Sequence, residues 1–167
     1  FLSLRYASVL VILLPLFVIL RPPLPRRGMD WVHLLIVGFL IQAVYFGLSY
    51  IAFNAGVSAG GVAIIVCLQP ILVALIAPHF AGERVGLLRW AGLALGMTGA
   101  AVAIASRSAI AAESLAGVIA AVGALLGITA GTLWEKRFGL SHHPVVSNGV
   151  QYVAGLAGTL PLALAFE

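Results

Sequence analysis

Apolar residues run through the chain in six long stretches separated by short polar breaks, at about residues 4–20, 31–53, 57–80, 87–106, 115–134 and 145–166. At ~1.5 Å per residue, helices of this length cross a hydrocarbon core of ~30 Å. The pattern predicts an all-α membrane protein with six transmembrane helices, and the short breaks predict antiparallel neighbours.

Polar residues near the middle of two of these stretches bear on function. Val57 to Phe80 holds no Asp, Glu, Lys or Arg and is interrupted near its middle by Gln69 and Pro70. Pro70 removes a backbone donor and crowds the preceding turn, so a kink is expected there. Irregular backbone at that depth persists only where protein or a wet cavity covers it, which leaves two readings, a solute path or a packing device. The second stretch carries Gly38, Gln42, Tyr45, Ser49 and Phe53, at intervals that share one face of an α-helix. That face is expected to point into the bundle, either for interhelical hydrogen bonds or to line a path, since Gln42 and Tyr45 offer donors and acceptors near mid-depth.

Composition excludes a soluble domain, with 62% hydrophobic residues, 8% charged and a mean hydropathy of +1.15. The net charge of +4 is not a nucleic-acid footprint, because the Lys and Arg residues cluster at helix ends. Arg21, Arg26, Arg27, Arg84, Arg89, Lys136 and Arg137 fall on one side and Arg5 and Arg107 on the other, which places the loops around Arg26, Arg84 and Arg137 in the cytoplasm. Arg21 to Arg27 is also Pro-rich, which favours an extended connector near anionic headgroups. Trp31, Trp90 and Trp134 lie at boundaries and suit interfacial anchoring. Cys67 is the single cysteine, so neither an intrachain disulfide nor a cysteine metal cluster is available.

Candidate chemistry is sparse. Gly56-Val57-Ser58-Ala59-Gly60 matches the G-x-S-x-G pattern, but helices flank it on both sides. His79 lies 21 residues along the same stretch, roughly 30 Å away. The match is read as chance. His142 and His143 are expected in a solvated loop, without acid or cysteine at metal-ligand spacing. Gly82 suits a helix end and Glu83 the start of the next. Gly92, Gly96 and Gly99, and again Gly123, Gly127 and Gly131 with Thr129 and Thr132 beside them, make small-residue faces for close helix approach. No Asp or Glu lies deep in a span, so a proton-carrying carboxylate is not found among these stretches.

A weak internal repeat relates Leu4-Arg5-Tyr6, followed by Pro15-Leu16, to Val150-Gln151-Tyr152, followed by Pro161-Leu162, at an offset of 146. The charge count gives the two copies opposite directions, as an inverted repeat requires.

The residues Ala52, Ser58-Ala59, Pro70, Gly82-Glu83-Arg84, Trp90, Gly92 and Gly99-Ala100 resemble the first repeat of EamA-type permeases of the drug/metabolite transporter superfamily. Leu115 to Phe166 is similar to the opening of the second repeat. The resemblance implies a ten-helix bundle of two inverted five-helix repeats. Residues 1–106 would be the first repeat without its first helix, and 115–167 the start of the second, so the chain reads as a piece of a longer protein.

The function implied is a secondary transporter, of the exporter kind, moving small metabolites or drugs across the bacterial inner membrane by alternating access. It implies no enzyme, metal or cofactor. Partners would be a small solute and membrane lipid, with no nucleic acid and with room for a homo-oligomer. The candidate cavity residues are Gln42, Tyr45, Ser49, Cys67 and Pro70, joined by Thr129, Asn148, Gln151 and Tyr152. Gln69 lies about 100° round the helix from Pro70 and is expected to pack. The alternatives are a non-transporting membrane scaffold and, behind it, an intramembrane enzyme.

Overall fold

The structure, a computed structural model, describes residues 2–82, 86–105, 114–138 and 142–166. Six helical rods occupy the apolar stretches: α1 (Leu2–Leu20), α2 (Gly28–Asn54), α3 (Ala59–Phe80), α4 (Leu87–Ala105), α5 (Leu115–Phe138) and α6 (Pro144–Phe166). Among the described residues α2, α3 and α5 are long and apolar enough to cross a membrane. Boundaries shift most at α5, which runs four residues beyond the expected end and carries Lys136 and Arg137 on its last turn.

Two rods are not regular. In α2 the segment Phe39–Tyr45 is a π-helix, set between α-helical Gly28–Gly38 and Phe46–Asn54. Tyr6 Oη of α1 donates to the main-chain carbonyl of Gln42 within it, at 2.5 Å. In α3 the helix stops at Val66 and restarts at Gln69, with Pro70 in the first turn of the second half. A proline fits there because it has no N–H to give to the carbonyl four residues earlier. Around the break the ladder tightens: Leu68 N donates to Ile65 O at 3.2 Å, and Cys67 Sγ to Ile64 O at 2.8 Å. Ser58 caps α3, its Oγ accepting from Gly61 N at 3.1 Å. The preceding turn needs Gly56 at φ 87°, and α3 ends on Gly82 at φ 69°, both left-handed positions. Glu83 and Arg84 lie outside the described residues.

The bundle closes on α2 from two sides through glycines. On one side a Cβ at Gly123 would stand 2.9 Å from Leu48, at Gly127 2.8 Å from Val44, and at Gly131 2.7 Å from Ile41. On the other, α6 brings Gly155 to 2.4 Å from Gln42 and Gly158 to 2.6 Å from Ala43 by the same measure, while Gly38 of α2 faces the Cα of Gln151 at 2.6 Å. Such gaps let backbones approach and gain dispersion contact where lipid offers no hydrophobic drive. The Gly155, Gly158 and Gly38 contacts extend the small-residue packing to α6. Toward Gly56, the residues Ala52, Val57, Val62, Ala120 and Ala121 close the core where α2, α3 and α5 meet.

The glycine face of α4 behaves otherwise. Nothing lies within 4 Å of a Cβ built at Gly92, Gly96 or Gly99, and nearly all of α4 is exposed. The close helix approach expected there is absent among the described residues: at Gly92 the face borders an open cleft, and at Gly96 and Gly99 nothing is in contact.

Basic and aromatic residues gather at one end. Arg137 donates to the Phe80 carbonyl and lies over the Phe80 ring, and Asp30 approaches His142 at 3.9 Å. Trp134 Nε1 donates to His33 Nδ1 at 3.2 Å and its ring packs on Phe138, which ties α5 to α2 at this end. Trp31 Nε1 donates to Pro25 O at 3.3 Å, tying the Pro-rich connector to α2. His143 Nδ1 accepts from Val145 N at the start of α6.

Two clefts meeting at the break in α3

The break in α3 separates two open clefts. The first, of about 430 Å³, lies between α2 and α3 and is lined by Tyr45, Phe46, Ser49 and Phe53 opposite Val62, Val66, Cys67, Gln69 and Pro70. The second, of about 460 Å³, lies among α3, α4 and α5 and is lined by Gln69, Pro70, Val73, Arg89, Gly92, Leu93, Thr132 and Lys136. Gln69 and Pro70 belong to both. Four of the predicted residues, Tyr45, Ser49, Cys67 and Pro70, are thus brought to one cleft.

Gln69 was expected to pack. It packs and lines at once, its Nε2 donating to Thr132 Oγ1 at 3.0 Å while it borders both clefts. Gln69 and Pro70 stay about 100° apart on the restarted helix, and both line because a cleft lies on either side of the break.

The remaining predicted residues lie elsewhere. Gln42 is buried beside Gly155, and its Oε1 has no partner among the described residues. Thr129 is buried and donates to the Leu125 carbonyl at 2.6 Å within its own helix. Gln151 is buried against Gly38, Tyr152 packs on Tyr6 with ring centroids 5.8 Å apart, and Asn148 is exposed.

The single polar face expected on α2 is therefore split. Gly38 and Gln42 turn to α6, whereas Tyr45, Ser49 and Phe53 turn to α3. The π-helix Phe39–Tyr45 lies between them: with i→i+5 bonding each residue advances less around the axis, so positions from Tyr45 onward leave the stripe that α-helical spacing lays down.

The hydroxyls in this region are largely spent on their own helices, Ser49 Oγ donating to Tyr45 O at 2.8 Å and Thr132 Oγ1 to Ile128 O at 2.8 Å. Arg5 stacks over the ring of Phe46, 4.2 Å from its centroid, beside the first cleft. Ser58 of the G-x-S-x-G match is occupied as a helix cap, which answers for that motif structurally. No group of three or more His, Cys, Asp or Glu that could hold a metal occurs among the described residues.

These features define an integral membrane bundle with a broken helix between two clefts. The family model of the EamA-like transporter family matches residues 1–105, and the chain belongs to that family. This membership is consistent with a protein that is not an enzyme. No curated protein and no solved structure matches the chain.

Proposed function

We propose that this chain forms the solute path of a secondary transporter, one that exports small metabolites or drugs across the bacterial inner membrane by alternating access. The observation that supports this most is the interruption of α3, with a cleft on each side and Gln69 and Pro70 common to both. Discontinuous membrane helices are where transporters place solute sites, because the ends of the half-helices and the unwound backbone supply polar groups without charged side chains.

In the same reading the chain is part of a ten-helix bundle of two inverted repeats. Tyr6 and Tyr152 occupy equivalent places in the internal repeat and meet at 5.8 Å, as expected where two elements cross near a two-fold axis.

The test is Pro70→Ala, which restores an N–H and allows the halves of α3 to join. Solute flux in proteoliposomes is expected to fall about tenfold while the melting temperature holds. Unchanged flux at normal expression would assign Pro70 to packing alone.

A further inference from the structure

We infer that the groove between α1, α2 and α6 holds an acyl chain of an anionic phospholipid, whose headgroup meets the arginines of the 21–27 connector. The site is separate from the solute path and does not depend on transport. The groove has a volume of about 280 Å³, and its wall includes Phe17, Leu24, Trp31, Leu35, Val146 and Val150. Among the described lining residues Trp31 alone has a polar side-chain group, and its Nε1 is given to Pro25 O. A polar solute would find no side chain to bond to.

The position of the groove fits one leaflet. Between Val145 and Val153 it follows α6 for ~12 Å at ~1.5 Å per residue, close to the ~15 Å that half a hydrocarbon core measures. It begins at the connector, where Leu24 lines it and Arg21, Arg26 and Arg27 are exposed. The connector is held in place: Arg21 N donates to Phe17 O at 3.0 Å, Pro22 and Pro25 are buried, and Trp31 bonds to Pro25. None of the three arginines has an ion pair or side-chain hydrogen bond among the described residues, and Asp30, the acid nearest in sequence, approaches His142.

Guanidinium groups meet phosphate with paired donors, and the charge count assigns this end to the cytoplasmic surface, where anionic lipid gathers. Exposed cations suit a headgroup, which stays at the water interface. An apolar helix laid here would fill the groove and leave the three charges unmatched, whereas a free phosphate would leave the groove empty. One amphiphile answers both.

Native mass spectrometry of the delipidated protein in detergent tests this with phosphatidylglycerol and phosphatidylcholine of matched acyl chains. The first phosphatidylglycerol is expected to bind at least tenfold more tightly. Arg26→Gln combined with Arg27→Gln should cost about tenfold for phosphatidylglycerol alone, whereas Arg26→Lys with Arg27→Lys should retain most of the binding. Gly149→Phe tests the chain, because Gly149 lines the groove and nothing lies within 4 Å of a Cβ built there, so the ring fills the groove without forcing helices apart. It should cost at least tenfold for phosphatidylglycerol while the melting temperature holds. Equal affinity for the two lipids, or phosphatidylglycerol binding unchanged in either the Gln pair or Gly149→Phe, overturns the assignment. Full competition by glycerol 3-phosphate reduces the site to a phosphate contact and overturns it too. A folded full-length protein that binds neither lipid has the groove covered by protein, which overturns it as well.

Discussion

α4 and α5 carry the same kind of sequence, glycines at helical spacing in an apolar rod, yet they end in opposite surroundings. In α5 the glycines at 123, 127 and 131 each receive a side chain of α2, and Gly117 receives Val57 and the carbonyl of Ala52. In α4 the glycines at 92, 96 and 99 receive nothing. α5 also holds α3 through the bond from Gln69 to Thr132, whereas Thr98 of α4 donates to Ala94 of its own helix. A small-residue stripe is thus a capacity for close approach, and it becomes packing only where a partner supplies the knobs. Those partners are Leu48, Val44 and Ile41, at intervals of four and three along α2.

The largest effect should come from filling one stripe and then the other. Gly127→Val would drive methyls against Val44, with the Tyr45 backbone N 3.4 Å from the new Cβ, and is expected to destabilise by about 1–3 kcal/mol. Gly96→Val meets open space and should stay within about 0.5 kcal/mol. Thermal unfolding of both variants in detergent checks this. Equal losses would mean that α4 has a partner against its glycines.

The same comparison shows what was legible in the sequence. Helix positions, the break near Pro70 and the α5 stripe follow from length, a missing N–H and small-residue spacing, which are local properties. The α4 stripe misleads because its outcome depends on a neighbour that spacing cannot report. The polar face of α2 was half legible. Ser49 and Tyr45 reach the cleft as their spacing suggests, but Gln42 is carried to α6 by a π-helix that no residue pattern between Phe39 and Tyr45 announces. Gly155 and Gly158 were readable in principle, since they lie three apart in an apolar rod beside Thr159. Gln69 is not legible as a lining residue because its angle from Pro70 excludes it only if there is a single cleft, and the break has one on each side.

A smaller effect belongs to the polar link that α5 has and α4 lacks. Removing Gln69 Nε2 and Thr132 Oγ1 separately and together, through Gln69→Leu and Thr132→Val, isolates their coupling. Interhelical hydrogen bonds in membranes average about 0.6 kcal/mol, because the unfolded helix also finds partners. A coupling of about 0.6–1 kcal/mol is expected in equilibrium unfolding, and a coupling near zero would leave α5 held to α3 by shape alone.

The smallest effect sharpens the comparison at a single methyl and hydroxyl. Thr129 in α5 and Thr98 in α4 make the same bond, each hydroxyl donating to the carbonyl four residues earlier, at 2.6 and 2.8 Å. Those carbonyls are within helices and already have a main-chain donor, so deleting either hydroxyl orphans no acceptor. What differs is the surroundings, since Thr129 is 2% exposed and Thr98 is open. Thr129→Ala leaves a void among packed atoms and should cost about 0.5–1.5 kcal/mol, the scale of one buried methyl. Thr98→Ala removes the same atoms from a surface and should change stability by less than about 0.5 kcal/mol. Because the hydrogen-bond change is identical, the difference between the two losses reads packing alone. Parallel unfolding of the two variants measures it, and losses of equal size would show α4 to be as enclosed as α5.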